Sequence, residues 1–322
     1  MPEPRDAGRS TLSLLFRSPL GISVLCPLSL AATGLFLGVL WEPNRVRLWH
    51  LLMGVQTALW VVSVFVVLDD YKSHRLDRPG GRSEWTAVAL CTLIAGGMSA
   101  FPFLGQIITQ QWETLPVELE AMLQLPHLRA RFSILGLLSA AFATLHTAGM
   151  LNVHVQLLAY PQEPAARRGG PKAAGVDDEV LRYQRLRSRL ERFLVFSAAT
   201  IGTATLSFGA FRDLLTELAP SLGELLEPWR IMSYGVYYTG ILASVYVPTR
   251  KTLTAVGEAL AARLVPSSPA EGTSWKDWTQ EQEAVRTWLG LRSTALQDFQ
   301  QALSVLAPLL ASLSTLALGA GG

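Results

Sequence analysis

Charge is scarce in this chain, and long tracts have none. Asp, Glu, Lys and Arg make up only 16% of the 322 residues, where a water-soluble domain carries about a quarter. The shortfall is local. Tracts of 18 residues and more contain no charged side chain at all, which excludes an ordinary soluble globule. Cysteine is nearly absent: Cys26 and Cys91 are the two. That count excludes a disulfide framework and a thiolate zinc site. Both fall within apolar tracts and read as small buried apolar residues. A net charge of +2 leaves no footprint for nucleic acid.

Chemistry-bearing motifs are missing too. No nucleophile motif, zinc motif or glycine-rich phosphate loop occurs, so neither an enzyme nor a cofactor is expected. No Asp, Glu, Lys or Arg lies well inside an apolar tract, where ion-coupled carriers and proton pumps usually keep such a group. The first three tracts do not repeat in the next three, which removes a second signature of transporters.

What remains is hydrophobicity, half of all residues. Six tracts near 20–41, 48–68, 86–108, 132–157, 193–211 and 231–248 each approach the length that crosses a bilayer as a helix. The first is long for a signal-peptide core and lacks a small-residue cleavage site. In "SVLC", Leu25 stands where a lipoprotein signal wants a small residue. The expected fold is therefore all-α: a polytopic transmembrane helix bundle of six spans, with a C-terminal helix that is a seventh span or a docked segment, plus cytosolic helical extensions.

Lysine and arginine set the orientation. With the N-terminus in the cytosol, 21 of the 27 basic residues fall inside and 6 outside. This divides the chain into a cytosolic segment 1–19, spans one to four over 20–157, a cytosolic linker and charged helix 158–192, spans five and six over 193–248, a cytosolic helical region 249–302 and an apolar tail 303–322. The expected location is the plasma or inner membrane. Expected partners are the bilayer, anionic headgroups at the cytosolic arginines, and a second copy of the chain. In the outer loops, Pro116 and Pro126, then Pro220 and Pro228, bracket short helical stretches, with Trp112 and Trp229 at headgroup level.

Three cytosolic or tail elements carry a pattern. Val176, Val180, Tyr183, Leu186, Leu190 and Phe193 recur at spacings of three and four, forming an apolar stripe for a partner helix, either a stalk packed within the chain or a subunit contact. Ser274 opens "SWKD" as a capping-box-like start to a helix that carries Trp275, Trp278 and Trp288. In the tail, Val305, Leu306, Leu309, Leu310, Leu313 and Leu316 share a branched face, opposed by a small face of Ser304, Ala307, Pro308, Ala311, Ser312, Ser314 and Thr315. The tail is either a membrane helix packed through its small face or a cytosolic helix docked through its leucines. Phe299, Leu303, Leu306, Leu310, Leu313 and Ala317 also keep heptad spacing, a pattern for self-association.

The polar residues in the spans supply the candidate site. His146 sits at the midpoint of the fourth apolar run and His154 two turns later, about 12 Å on at 1.5 Å per residue. One metal ion cannot bridge them. His146, with Ser139 near it, reads first as an interhelical hydrogen-bonding group and second as part of a pore or ligand path. Tyr234, Tyr237 and Tyr238 share one face of the sixth span, as packing and aromatic belt or as a polar lining. Gly96, Gly97 and Pro102 mark a kink or an interruption. Asp69 and Asp70 read as a solvated stop to span two. The expected function is a non-catalytic scaffold, signalling or self-assembling membrane component. The alternatives are a channel or uncoupled transporter with a hydroxyl- and His-lined path, then a membrane-embedded enzyme.

Overall fold

The computed structural model describes residues 48–73, 82–108, 127–160, 176–218, 228–265, 274–291 and 295–319. Seven helices and no strand occur among them: α1 (Leu48–Ser73), α2 (Arg82–Ile108), α3 (Leu128–Ala159), α4 (Val176–Leu218), α5 (Pro228–Leu264), α6 (Trp275–Trp288) and α7 (Ala295–Gly319). The first tract 20–41 with Cys26, the outer-loop stretches around Trp112, Pro116, Pro126 and Pro220, and the linker 161–175 lie outside the described residues.

Four helices, α1 to α4, contain stretches long and apolar enough to cross a membrane. The distribution of side chains agrees. Leu93 on α2 is 74% exposed and Phe101 66%, while His146, Thr147, Ser197, Thr200 and Thr205 are buried. A protein with polar groups inside and large apolar groups outside is adapted to hydrocarbon rather than water. In α5, Tyr234, Tyr237, Tyr238 and Tyr246 dilute an otherwise apolar half, and α7 has a shorter apolar stretch, Gln301–Ser314.

Successive helices run in opposite senses. Phe103 of α2 lies where a Cβ on Gly136 of α3 would be, and Thr144 lies 3.2 Å from one on Gly96, so α2 and α3 are antiparallel. His146 of α3 stacks on Phe196 of α4 at 5.8 Å, and Tyr160 donates to the Glu179 carbonyl at 2.7 Å. These two helices are therefore antiparallel as well. Tyr183 of α4 lies against Gly257 of α5, while Ile201 and Tyr238 face one cleft. For α5 and α7, Tyr246 donates to Gln301 Oε1 at 2.8 Å and Gly235 faces Ser312. Thus α2, α4 and α7 run one way, and α1, α3 and α5 the other.

α7 packs on α4 and α5 through its small face. Pro308, Ala311 and Ser312 are buried, whereas Leu303, Leu306, Leu310 and Leu313 point outward. This overturns the alternative in which the leucines dock on the bundle. The reason is close approach: Gly235 and Gly202 let α7 come near enough that the Pro308 carbonyl would lie 2.7 Å from a Cβ on Gly235, a distance only small residues permit.

Two helices continue far beyond a bilayer's thickness. α4 has 43 residues and α5 has 37, about 65 Å and 56 Å at 1.5 Å per residue. Their extensions pack together as a platform with its own core. Val180, Tyr183, Leu186 and Leu190 of the apolar stripe meet Leu253, Val256, Leu260 and Leu289, and the same core runs into Met150, Val153 and Leu157 of α3. Burial raises the Tyr183 pKa, with Arg187 and Arg250 opposing it. At the start of α6, the Ser274 side chain accepts from the Lys276 amide. At its end, Gly290 takes φ +67°, and the Gly290 and Leu291 amides return to Thr287 and Arg286. This left-handed closure favours glycine. Arg187 Nη1 donates to the Leu289 carbonyl at 3.1 Å, pinning the end of α6 to α4.

Candidate functional site

The polar groups of the bundle fall into three tiers along α3. The tier nearest the platform centres on Arg189, which is only 4% exposed. Its Nε donates to Asp70 Oδ1 at 2.8 Å and its Nη2 to Asp70 Oδ2 at 2.6 Å. Nη1 donates to Gln156 Oε1 at 3.2 Å, and Gln156 Nε2 reaches Asn152 Oδ1 at 3.3 Å. The fork of the guanidinium matches the carboxylate in two parallel bonds. Asp70 is buried in this pair, so it is not a solvated stop. Its environment comes from α4, which no local feature of "DD" announces. A signal did exist on the other partner. Arg189 follows Leu186 by three and precedes Phe193 by four, inside the apolar stripe, and a charge on a buried helix face implies a partner.

The middle tier holds His146. It is fully buried, and neither ring nitrogen has a hydrogen-bond partner. The expected interhelical hydrogen bond is therefore not made; the ring stacks on Phe196 instead. Ser197 and Thr200 of α4 are buried with unpartnered hydroxyls on the adjoining stretch of the interface. His154, further toward the platform, is half-buried with an unpartnered Nδ1. The structure does not bring it into one site with His146, and no group of three metal-ligating side chains occurs among the described residues.

The third tier, remote from the platform, contains two small open clefts, with room for about 20 Å³ and 30 Å³. Ser139, Ala204 and Phe208 belong to both. The tyrosines are placed differently from one another. Tyr238 donates to the Ser99 carbonyl at 2.8 Å and Tyr237 to the Met98 carbonyl at 2.7 Å, so both tie α5 to α2. Tyr234 stacks with Phe208 and Phe103, and with Tyr238 it lines the first cleft. Ser139 Oγ donates to the Leu135 carbonyl at 2.9 Å, and Thr205 and Ser207 similarly bond their own helix. Most hydroxyls here therefore spend their proton on backbone, a habit of Ser and Thr within helices. Gln56 of α1 was not singled out by the sequence. It is 1% exposed, lines the second cleft, and has no partner for either amide atom. Cys91 is exposed on α2, not a buried apolar residue as its tract suggested, because α2 turns much of its surface outward.

No protein-family model, curated protein or solved structure matches the chain, so the chemistry of these tiers stands on their geometry.

Proposed function

We propose that the chain is a polytopic protein of the plasma or inner membrane that acts without catalysis, as a scaffold or signal-relay component. In this reading the tract 20–41 is the first span, α1 to α5 carry the next five, and α7 is a seventh. The N-terminus is cytosolic and the C-terminus outside. The alternating senses of α1 to α5 and α7, and the seating of α7 by its small face, support that count. The positive-inside balance supports the orientation.

One observation carries the functional reading. α4 and α5 each run unbroken from the apolar bundle into the packed platform, and a buried ion pair ties α1 to the junction. Such continuity suits a protein that links events on two sides of a membrane through rigid elements. The exposed Arg185 and Arg192 lie where anionic headgroups would meet them. The outward leucine row of α7 offers a surface for self-association.

Reconstitution into liposomes tests this proposal. A scaffold leaves the efflux of entrapped ions and small neutral solutes equal to that of protein-free vesicles, and protein-dependent flux overturns it. A second reading, an uncoupled path through the bundle, is favoured by His146 and its unpartnered ring nitrogens beside α4. It requires flux that His146→Phe abolishes.

A further inference from the structure

Each of the two clefts remote from the platform has a buried polar side chain without a partner on its wall, and each has the size of a very small ligand. We propose that bound water occupies both clefts and joins α1, α3 and α4 through Ser139. The proposal is independent of whether the protein relays a signal or passes a solute.

The second cleft lies where three helices meet, with Gln56 of α1, Ser139 of α3 and Ser207 of α4 on its wall. Gln56 is 1% exposed, and neither end of its amide has a partner. Leaving an amide unpaired in an apolar interior is costly, and buried polar groups without partners are rare enough to call for an explanation. Ser139 and Ser207 give their protons to their own helices, at 2.9 Å and 2.8 Å, so toward the cleft they offer lone pairs. A water molecule completes that set: it accepts from the Gln56 amide and donates to the serine oxygens. The first cleft repeats the arrangement. Thr200 lines it, is 1% exposed and has an unpartnered hydroxyl. Thr205 lines it too and gives its proton to the Ile201 carbonyl at 2.9 Å. A water here accepts from Thr200 and donates to Thr205 and Ser139. Ser139 belongs to both clefts. A hydroxyl oxygen has two lone pairs, one for each water, so this residue links the two.

Size and charge exclude the other occupants. A buried water needs about 10–15 Å³ and two to four polar partners, and the clefts offer about 20 Å³ and 30 Å³ with the groups just named. No Asp, Glu, Lys, Arg or His lines either cleft, so an ion would be buried without a counter-charge, an outcome strongly disfavoured. The end of a lipid tail would leave Gln56 and Thr200 as unpaired as before. Water-mediated bonds are nearly as good in enthalpy as direct ones and cost little to order, so α1 is tied to α3 and α4 here without a single direct side-chain bond.

The test is X-ray radiolysis of the purified full-length chain in detergent, with side-chain oxidation read by mass spectrometry. Hydroxyl radicals made from a bound water modify the buried side chains beside it. Met53 and Trp49 line the second cleft and Tyr238 the first, and all three are buried. Met150 is buried in the apolar core and lines neither cleft, so it serves as the dry control. Expected is oxidation of Met53 well above that of Met150. Gln56→Leu should slow oxidation of Met53 and Trp49 about fivefold, the worth of one ordinary hydrogen bond in occupancy, and should spare Tyr238. Thr200→Val exchanges a hydroxyl for a methyl and should do the reverse, slowing Tyr238 and sparing Met53. It reads the first cleft by itself, whatever Gln56→Leu does to folding. Oxidation of Met53 no faster than that of Met150 overturns the proposal, since the second cleft is then dry. So does oxidation that neither variant slows at its own cleft, since the radicals then come from bulk solvent.

Discussion

Replacing Asp70 by asparagine preserves its shape and removes its charge, and the consequence follows from how Arg189 is held. The guanidinium has two bonds to Asp70 and one to Gln156 at 4% exposure. Removing one partner of a buried pair costs about 3–5 kcal/mol, because the survivor is left charged and poorly solvated. The low end, about 3 kcal/mol, applies here, since asparagine still offers one acceptor oxygen and Gln156 remains. Arg189→Gln removes the other charge and should cost a similar amount, since it leaves the buried Asp70 carboxylate without its partner. Thermal unfolding in detergent, followed by helical circular dichroism, provides the assay. At about 2–4 °C per kcal/mol for chains somewhat shorter than this one, Asp70→Asn should lower the midpoint on the order of 5–10 °C. The double variant should lose no more than either single variant, a coupling of about 3 kcal/mol or more. If both single variants stay within about 1 kcal/mol of the parent with no coupling, the pair behaves as a solvent-screened surface bridge and the reasoning fails.

Gly235→Val should push α7 off α5, because the Pro308 carbonyl that meets its Cβ is backbone and cannot yield. Expected are a loss of about 1–3 kcal/mol and faster protease cleavage between α6 and α7. Tyr238→Phe removes the bond to the Ser99 carbonyl and should cost about 1 kcal/mol, measured as a melting shift; no shift would mean that the bond does not tie α5 to α2. A small epitope appended after Gly322 should be reached by antibody only from outside intact cells, and cytosolic exposure would remove α7 as a span. Ser274→Ala deletes the cap on the Lys276 amide, so amide exchange should rise in the first turn of α6, by a factor matching about 1 kcal/mol, and nowhere else.

The sequence made the helices legible because their signal is local. Charge-free tracts fixed the apolar parts of α1 to α4, and the spacing of Val180, Tyr183, Leu186, Leu190 and Phe193 marked the face of α4 that is buried. The two-faced pattern of the tail was also visible, although not which face would be used. That choice depended on Gly235 and Gly202 of other helices, which no window on the tail contains. The candidate site was less legible for the same reason. His146 stood out as the one histidine midway in an apolar run, and Tyr234, Tyr237 and Tyr238 as a face. Asp70 and Arg189 are 119 positions apart; Asp70 looks ordinary in its own neighbourhood, and Arg189, set within the apolar stripe, signals a partner without naming it. Gln56 was passed over because an amide carries no formal charge. Its significance lies in burial without a partner, which is a property of packing.

The pair between Arg189 and Asp70 divides α4 into two unequal arms. About 13 residues, roughly 20 Å, lie on the platform side of it, and about 29 residues, roughly 43 Å, on the other. Were α4 to tilt as a rigid rod about that pair, a small sideways step at its short arm would be magnified about twofold at its long arm. A nudge at the platform end of α4 would then reappear, enlarged and reversed, among the aromatic rings at its far tip.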